Sequence, residues 1–113
     1  DLPSTSELAF GLMLSMLRNI PSSFEDVKVG GWDYDMHMGH QLKDKTIGII
    51  GYGRLGKMMT DYCYAFGMNA LPYDPYKFDA DFELLLKMSD VISLHVHAND
   101  ETKHMINKKV IIK

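Results

Sequence analysis

The segment from residue 45 to residue 56 constrains the fold of this chain more than any other stretch of its sequence. An apolar run over residues 46–50 leads into three glycines with the spacing G-x-G-x-x-G, and an amphipathic stretch follows at once. The glycines are Gly51, Gly53 and Gly56. A second apolar run, residues 69–73, then ends on Asp74. This order of strand, glycine turn, helix, strand and acid is the fingerprint of a dinucleotide-binding unit, whereas the glycine spacing alone is weak support.

Each glycine has a separate physical role in such a turn. Gly51 permits a tight turn out of the strand, and Gly53, without a Cβ, lets a pyrophosphate approach the main chain. Gly56 lets the helix pack closely on the strand beneath it. The first amides of that helix lack partners within the helix, so they and the positive end of the macrodipole point at the phosphates.

The position of Asp74 favours NAD over NADP. Its carboxylate would accept hydrogen bonds from a ribose diol, each contributing about 1.5–3 kcal/mol, and would repel a 2′-phosphate. No arginine follows it closely, and Lys77 is the only cation nearby in the sequence. The alternative is a strand-turn-helix whose glycines serve packing alone, which leaves the placement of Asp74 to coincidence.

Size and composition restrict the class of protein. The 113 residues form one domain at most, and the 46% hydrophobic share is that of a globular chain. A net charge of −3 and scattered cations give no electrostatic reason to expect a nucleic-acid partner. The longest apolar run, Leu8 to Leu17, is half of the roughly 20 residues that a membrane span needs. Cys63 is the only cysteine, so a reducing, cytoplasmic location is expected.

The first 45 residues predict two helices and a long irregular segment. Ser4 and Glu7 have the spacing of a capping box and predict a helix over about residues 5–19, followed by Pro21. Because this helix is apolar nearly all round, it should be buried on more than one side, in a core or an interface. A shorter helix is expected over residues 23–28, closed by two glycines. Residues 30–45 show no period and carry Trp32, so they indicate either a partner-binding segment or a mobile surface loop.

The remaining sequence predicts a βαβαβ order, one half of a Rossmann-type doubly wound parallel sheet. The predicted elements are strands 46–50, 69–73 and 90–95, and helices 54–66 and 81–88. Gly67 is the expected end of the first of these helices. A polar loop should cover residues 96–104, and Asn107 is expected to cap a final helix. Because the chain begins at Asp1 and ends on apolar residues without a stop signal, we expect a piece of a longer protein.

With these motifs placed, the chain resembles the nucleotide-binding domain of the D-isomer-specific 2-hydroxyacid dehydrogenases, the group that includes D-3-phosphoglycerate dehydrogenase. Four stretches in family order, covering almost the whole chain, carry the resemblance. They are residues 6–14 with 18–19; 31–32 with 41–50; 51–56 with 73–75; and 89–96 with 101–107. One departure is His97-Ala98, where family members usually have Pro-Leu.

The resemblance implies residue roles that the spacing does not give. Arg54 and Leu55 would contact the pyrophosphate, and the backbone of His95 and Val96 would line the adenosine side. The Trp32 segment would be an arm that grips a second subunit, giving a homodimer through the first helix and this arm. The family's substrate-binding arginine, catalytic histidine and orienting acid would fall after the end of this chain, as would the substrate-binding domain. We therefore expect no catalytic residue here.

Two functions are compatible with these features. The leading one is an NAD-dependent oxidoreductase that moves a hydride between the nicotinamide and C2 of a small D-2-hydroxy acid or its keto acid. The alternative is a non-catalytic NAD-sensing regulator of the same fold, similar to the transcriptional corepressors of the family. Catalysis by His95 or His97 is not expected, because no orienting carboxylate is identifiable. His37 and His40 lack a third ligand at suitable spacing, so no metal site is expected.

Overall fold

Three parallel β-strands with helices on both faces form the body of the chain. The computed structural model describes residues 1–74 and 82–95. The elements are α1 (Leu2–Leu17), α2 (Ile20–Lys28), β1 (Thr46–Ile50), α3 (Arg54–Ala65), β2 (Asn69–Tyr73), α4 (Phe82–Met88) and β3 (Val91–Leu94). The strand order is β2-β1-β3, and both pairs are parallel. The predicted partial doubly wound α/β fold is thereby confirmed.

β1 lies in the middle of the sheet and is covered on both faces. Ile47 and Ile49 pack in one cluster with side chains of α1 and α3, whereas Ile50 packs with Leu85 of α4. Gly48 also faces α4, since a Cβ there would stand only 2.8 Å from Cδ2 of Leu85. Coverage on both faces explains why the strand is apolar without interruption.

The two N-terminal helices begin earlier than the sequence predicted. α1 starts at Leu2 with Asp1 as its N-cap residue, and no side chain caps it, so the predicted capping box of Ser4 and Glu7 is wrong. α2 starts at Ile20 rather than residue 23. In both helices a proline occupies the first turn, where its fixed φ favours the helix and its missing N–H costs nothing. Pro21 therefore opens α2 instead of following the end of α1.

In the sheet region, the predicted limits of strands and helices agree more closely with the structure. β1 and β2 have the predicted limits, α3 is one residue shorter than predicted, and β3 is shorter by one residue at each end. Gly67 has φ of +76° directly after the C-cap residue of α3, as its predicted role requires. The expected loop over residues 96–104 and the cap at Asn107 lie outside the described residues.

α1 is covered on one side only within the described chain. Phe10, Met13 and Leu17 are buried against α3 and the sheet. Another face exposes Leu8 and Leu12, whose exposed fractions are 65% and 58%. The prediction of burial on more than one side therefore requires a surface outside the described residues. No helix within the described residues has the length and apolarity to cross a membrane.

Candidate functional site

The carboxyl ends of the three strands meet at one edge of the sheet. Ile50 of β1 pairs in register with Tyr73 of β2 and with Leu94 of β3. The residues that follow these three strand ends are Gly51, Asp74 and His95. The Gly51 N–H donates to the Tyr73 carbonyl at 2.8 Å, and the His95 N–H donates to the Ile50 carbonyl at 2.7 Å. Three predicted site residues, distant in sequence, thus lie side by side where doubly wound proteins bind ligands.

The backbone of the fold requires glycine at positions 51 and 56, whether or not a ligand binds. Gly51 has φ of +94°, a left-handed conformation that favours glycine. At Gly56, a Cβ would stand 2.3 Å from the Gly51 carbonyl oxygen and 3.3 Å from Ile49 Cγ2. The absence of a side chain at position 56 therefore lets the first turn of α3 rest directly on the end of β1.

Gly53 has no such internal reason to be glycine. It is the N-cap residue of α3, with φ of −88° and extended backbone that other residues adopt readily. Among the described residues, a Cβ at this position would meet no atom within 4 Å. Space is therefore kept open in front of the helix, which is what close approach of a ligand to the main chain needs.

The first turn of α3 presents unpaired amide donors to this open space. No side chain caps the helix, and the Lys57 N–H, which donates to the Gly53 carbonyl at 3.0 Å, makes the first bond of the helical pattern. Within residues 1–74 and 82–95, the amides of Arg54, Leu55 and Gly56 have no hydrogen-bond partner. Arg54 is exposed and Leu55 is half-buried at this helix start. The arrangement can hold an anion such as a phosphate.

Asp74 and His95 flank the glycine turn on its two sides. Asp74 is half-buried and follows Tyr73, whose ring packs on Phe82 with 5.1 Å between centroids. Burial lowers the pKa of His95, so its imidazole is neutral near pH 7. The Nε2 atom of His95 lies 2.7 Å from the hydroxyl oxygen of Ser93. Val96, the last predicted site residue, lies outside the described residues, as do Lys77 and His97.

A family model described as D-isomer specific 2-hydroxyacid dehydrogenase, NAD binding domain, matches residues 10–113. The chain belongs to this dehydrogenase family. It is 40% identical to the hydroxypyruvate reductase of Thermotoga maritima, over 98% of the chain and 39% of that protein. It is 39% identical to the D-3-phosphoglycerate dehydrogenase of Methanocaldococcus jannaschii, over 96% of the chain and 23% of that protein.

Solved structures agree with this assignment. The apo-structure of D-lactate dehydrogenase from Escherichia coli matches with a TM-score of 0.87 and 30% identity, over 95% of this chain and 37% of that chain. The chain therefore spans about two fifths or less of these relatives' lengths. As a 2-hydroxyacid dehydrogenase NAD-binding domain, it has NAD as its cofactor, which confirms the prediction from the fingerprint.

The dehydrogenase domain also has an ordered second surface, formed by residues 31–40, which we call the arm. The side-chain amide of Asn19 donates to the Met38 carbonyl at 2.9 Å, and the His40 N–H donates to the Leu17 carbonyl at 2.8 Å. A cavity of about 460 Å³ lies between the arm and the helices, and its lining includes Arg18 and Trp32. The Trp32 side chain remains 84% exposed.

His37 holds the arm on α2. Its Nδ1 atom lies 3.2 Å from the Ser22 hydroxyl oxygen, and its Nε2 atom lies 3.2 Å from Oδ2 of Asp26. The latter contact has the distance of an ion pair but not the alignment of a hydrogen bond. No group of three potential metal ligands occurs in the described residues. The contacts of His37 with Ser22 and Asp26 could not be predicted from the sequence, because residues 30–45 show no periodic pattern.

Proposed function

We propose that the dehydrogenase domain binds NAD across the carboxyl ends of its three strands. The cofactor-binding residues in this proposal are Gly51, Gly53, Arg54, Leu55, Gly56, Asp74, His95 and Val96. The observation that carries the proposal is the open space at Gly53, in front of unpaired helix amides and beside the register-aligned ends of β1, β2 and β3.

The chain's own residues would bind and orient the cofactor. The amides of α3 and the guanidinium of Arg54 hold the pyrophosphate, and the carboxylate of Asp74 accepts hydrogen bonds from the adenosine ribose. The backbone at His95 and Val96 lines the adenosine side. NAD itself supplies the hydride chemistry, while the protein supplies position and electrostatics.

For the whole protein, we propose an NAD-dependent oxidoreductase acting on C2 of a small D-2-hydroxy acid or 2-keto acid. The names of the relatives, which include a hydroxypyruvate reductase and a glyoxylate reductase, support this class of substrate. In this proposal the substrate-binding domain, the C-terminal half of the sheet and the catalytic residues lie in parts of the protein outside this chain. A screen of 2-hydroxy acids with the intact protein, followed by NADH absorbance, tests the activity.

The proposed ribose contact is tested by Asp74→Ala in the intact protein. We expect NAD affinity measured by calorimetry to fall at least about tenfold, as for loss of a charged hydrogen-bond acceptor, with the fold intact by circular dichroism. The affinity for NADP should rise relative to the affinity for NAD, because the carboxylate that repels the 2′-phosphate is gone. Asp61→Ala, on the exposed side of α3, is the matched control. Unchanged NAD affinity in Asp74→Ala would remove the ribose role.

A homodimer is the proposed assembly, through α1 and the arm. The exposed apolar side chains of α1 recur every four residues at Leu8, Leu12 and Met16, and Trp32 of the arm is exposed as well. Contiguous apolar surface of this kind marks interaction sites in proteins.

A cytoplasmic, reducing location is also proposed, and the free, buried thiol of Cys63 supports it.

The same exposed surface favours a second candidate function, an NAD-sensing regulator in which the nucleotide governs assembly. Turnover by the intact protein separates the candidates: a dehydrogenase oxidises or reduces a 2-hydroxy or 2-keto acid with NAD(H). A regulator binds NAD and assembles without turnover. Sequence beyond residue 113 adds to the test, because only a dehydrogenase requires the complete set of substrate-binding arginine and catalytic histidine.

A further inference from the structure

The side chain of Lys57 turns back towards the glycine loop. Lys57 belongs to the first turn of α3, and its Nζ atom lies 5.9 Å from the centroid of the Tyr52 ring. Tyr52 stands between Gly51 and Gly53, before the helix begins. Helical side chains lean towards the N-terminus, and an ammonium within about 6 Å of an aromatic ring is attracted to its face. The ammonium is thus held beside the turn that faces the proposed pyrophosphate.

No acidic side chain of α3 accounts for the position of Lys57. Asp61 is one helical turn further on and could pair with Lys57, yet no ion pair joins them among the described residues. The macrodipole disfavours cations at a helix N-terminus, and the first turn of α3 carries Arg54 and Lys57 but no acid. No carboxylate within residues 1–74 and 82–95 forms an ion pair with either cation, and an anion bound at this helix start would offset the unfavourable interaction with the macrodipole.

We propose that Lys57 is a further cofactor-binding residue, a second cation for the pyrophosphate, and that Tyr52 is its positioning residue. The proposal rests on the NAD site proposed above. Arg54 and Lys57 are three residues apart, so they lie on neighbouring positions of the same helix face. Tyr52 is half-buried and packs against the core cluster beneath β1, which fixes the ring that holds the ammonium. The two cations match the two negative charges of a pyrophosphate.

The test compares Lys57→Met with Lys87→Met in the intact protein. Lys87 is an exposed lysine in the last turn of α4 and serves as the matched control. We expect Lys57→Met to weaken NAD binding about threefold at low ionic strength, which is the size of effect that an exposed charge pair has. The difference in NAD affinity between this variant and the wild type should become smaller as salt is added. Binding of adenosine, which has no phosphate, should be unchanged. Tyr52→Leu should lose less NAD affinity than Lys57→Met, and this loss should depend on salt in the same way.

Three other results are possible, and each would contradict one part of the proposal. If Lys57→Met binds NAD as wild type does while Arg54→Met is weakened, the role of Lys57 is refuted and the NAD site stands. If Lys57→Met loses adenosine and NAD affinity equally, Lys57 acts through the fold and not through the phosphates. If the wild-type protein binds no NAD, the proposed function itself fails.

Discussion

Gly53 and Gly56 are three residues apart, yet they lack side chains for different reasons. At Gly56 a Cβ would overlap the carbonyl oxygen of Gly51, whereas at Gly53 it would enter open space. The G-x-G-x-x-G spacing predicted both glycines. It did not separate the one that the fold needs from the one that a ligand needs, because that distinction depends on neighbouring atoms and not on spacing.

Alanine at these two positions should therefore give opposite results. We expect Gly56→Ala to lower the free energy of unfolding by about 1–3 kcal/mol, the usual cost of overpacking, through separation of α3 from β1. Gly53→Ala should melt like the wild type but bind NAD at least about tenfold more weakly, because its methyl group occupies the space of the pyrophosphate. Thermal melting and NAD titration of both variants make the comparison. Wild-type affinity in Gly53→Ala would contradict the proposed phosphate position.

Cys63 gives a prediction about alkaline stability. Burial raises the pKa of its thiol from the ordinary 9.0 to about 11, because the thiolate is poorly solvated in the core. A raised pKa in the folded state contributes stability below pH 9, and this contribution is lost as pH rises from about 9 to about 11. Urea unfolding across this pH range should show the decline in wild type and less of it in Cys63→Ala. At pH 8, native protein should react with thiol reagents far more slowly than unfolded protein.

At the scale of elements, the arm depends on one residue in an unusual conformation. Asn19 has φ of +53° between α1 and α2, and its side-chain amide donates to the His37 and Met38 carbonyls. Asn19→Gly retains the backbone conformation, which glycine adopts freely, and removes only these hydrogen bonds. Hydrogen exchange at the His40 amide should accelerate about tenfold, whereas amides within α1 should exchange as before.

The exchange pattern also decides between the two sequence-based hypotheses for residues 30–45. A mobile surface loop would exchange rapidly in the wild type and would not respond to Asn19→Gly. Ser22→Ala removes the hydroxyl contact to His37 and the hydrogen bond from that hydroxyl to the Asn19 carbonyl, but it keeps both side-chain hydrogen bonds of Asn19. It serves as a milder control and should accelerate exchange less.

The elements show which parts of the fold can be predicted from sequence. The limits of β1 follow from an uninterrupted apolar run, because a strand buried on both faces leaves few other choices. The limits of β2, which is exposed or half-buried along its length, follow from its position between Gly67 and Asp74. The Ser4 and Glu7 pattern placed the start of α1 too late, because Pro3 already lies in the first turn. The start of α2 was placed too late because Pro21 lies in its first turn and does not mark a break before it. The contact between Lys57 and Tyr52 could not be predicted, because residue spacing does not determine the direction of a side chain.

At the scale of the whole molecule, the exposed face of α1 predicts self-association. Leu12→Glu places a charge in the centre of this face and should weaken the proposed dimer by about 2 kcal/mol or more, which is roughly thirtyfold. Analytical ultracentrifugation of the intact protein across a concentration series measures the change. Tyr64→Glu, on an exposed position of α3, is the control and should leave the dimer intact. An association constant equal to that of the wild type in Leu12→Glu would refute the proposed interface.

The two hydrogen bonds that join the strand ends, from Gly51 to Tyr73 and from His95 to Ile50, lie directly beneath the proposed dinucleotide. A molecule bound there would add contacts to three strand ends that come from distant parts of the sequence. Unfolding would then require its release, so resistance to proteolysis would rise with the concentration of free nucleotide. Cells depleted of NAD would thus hold less of this protein, even at constant synthesis.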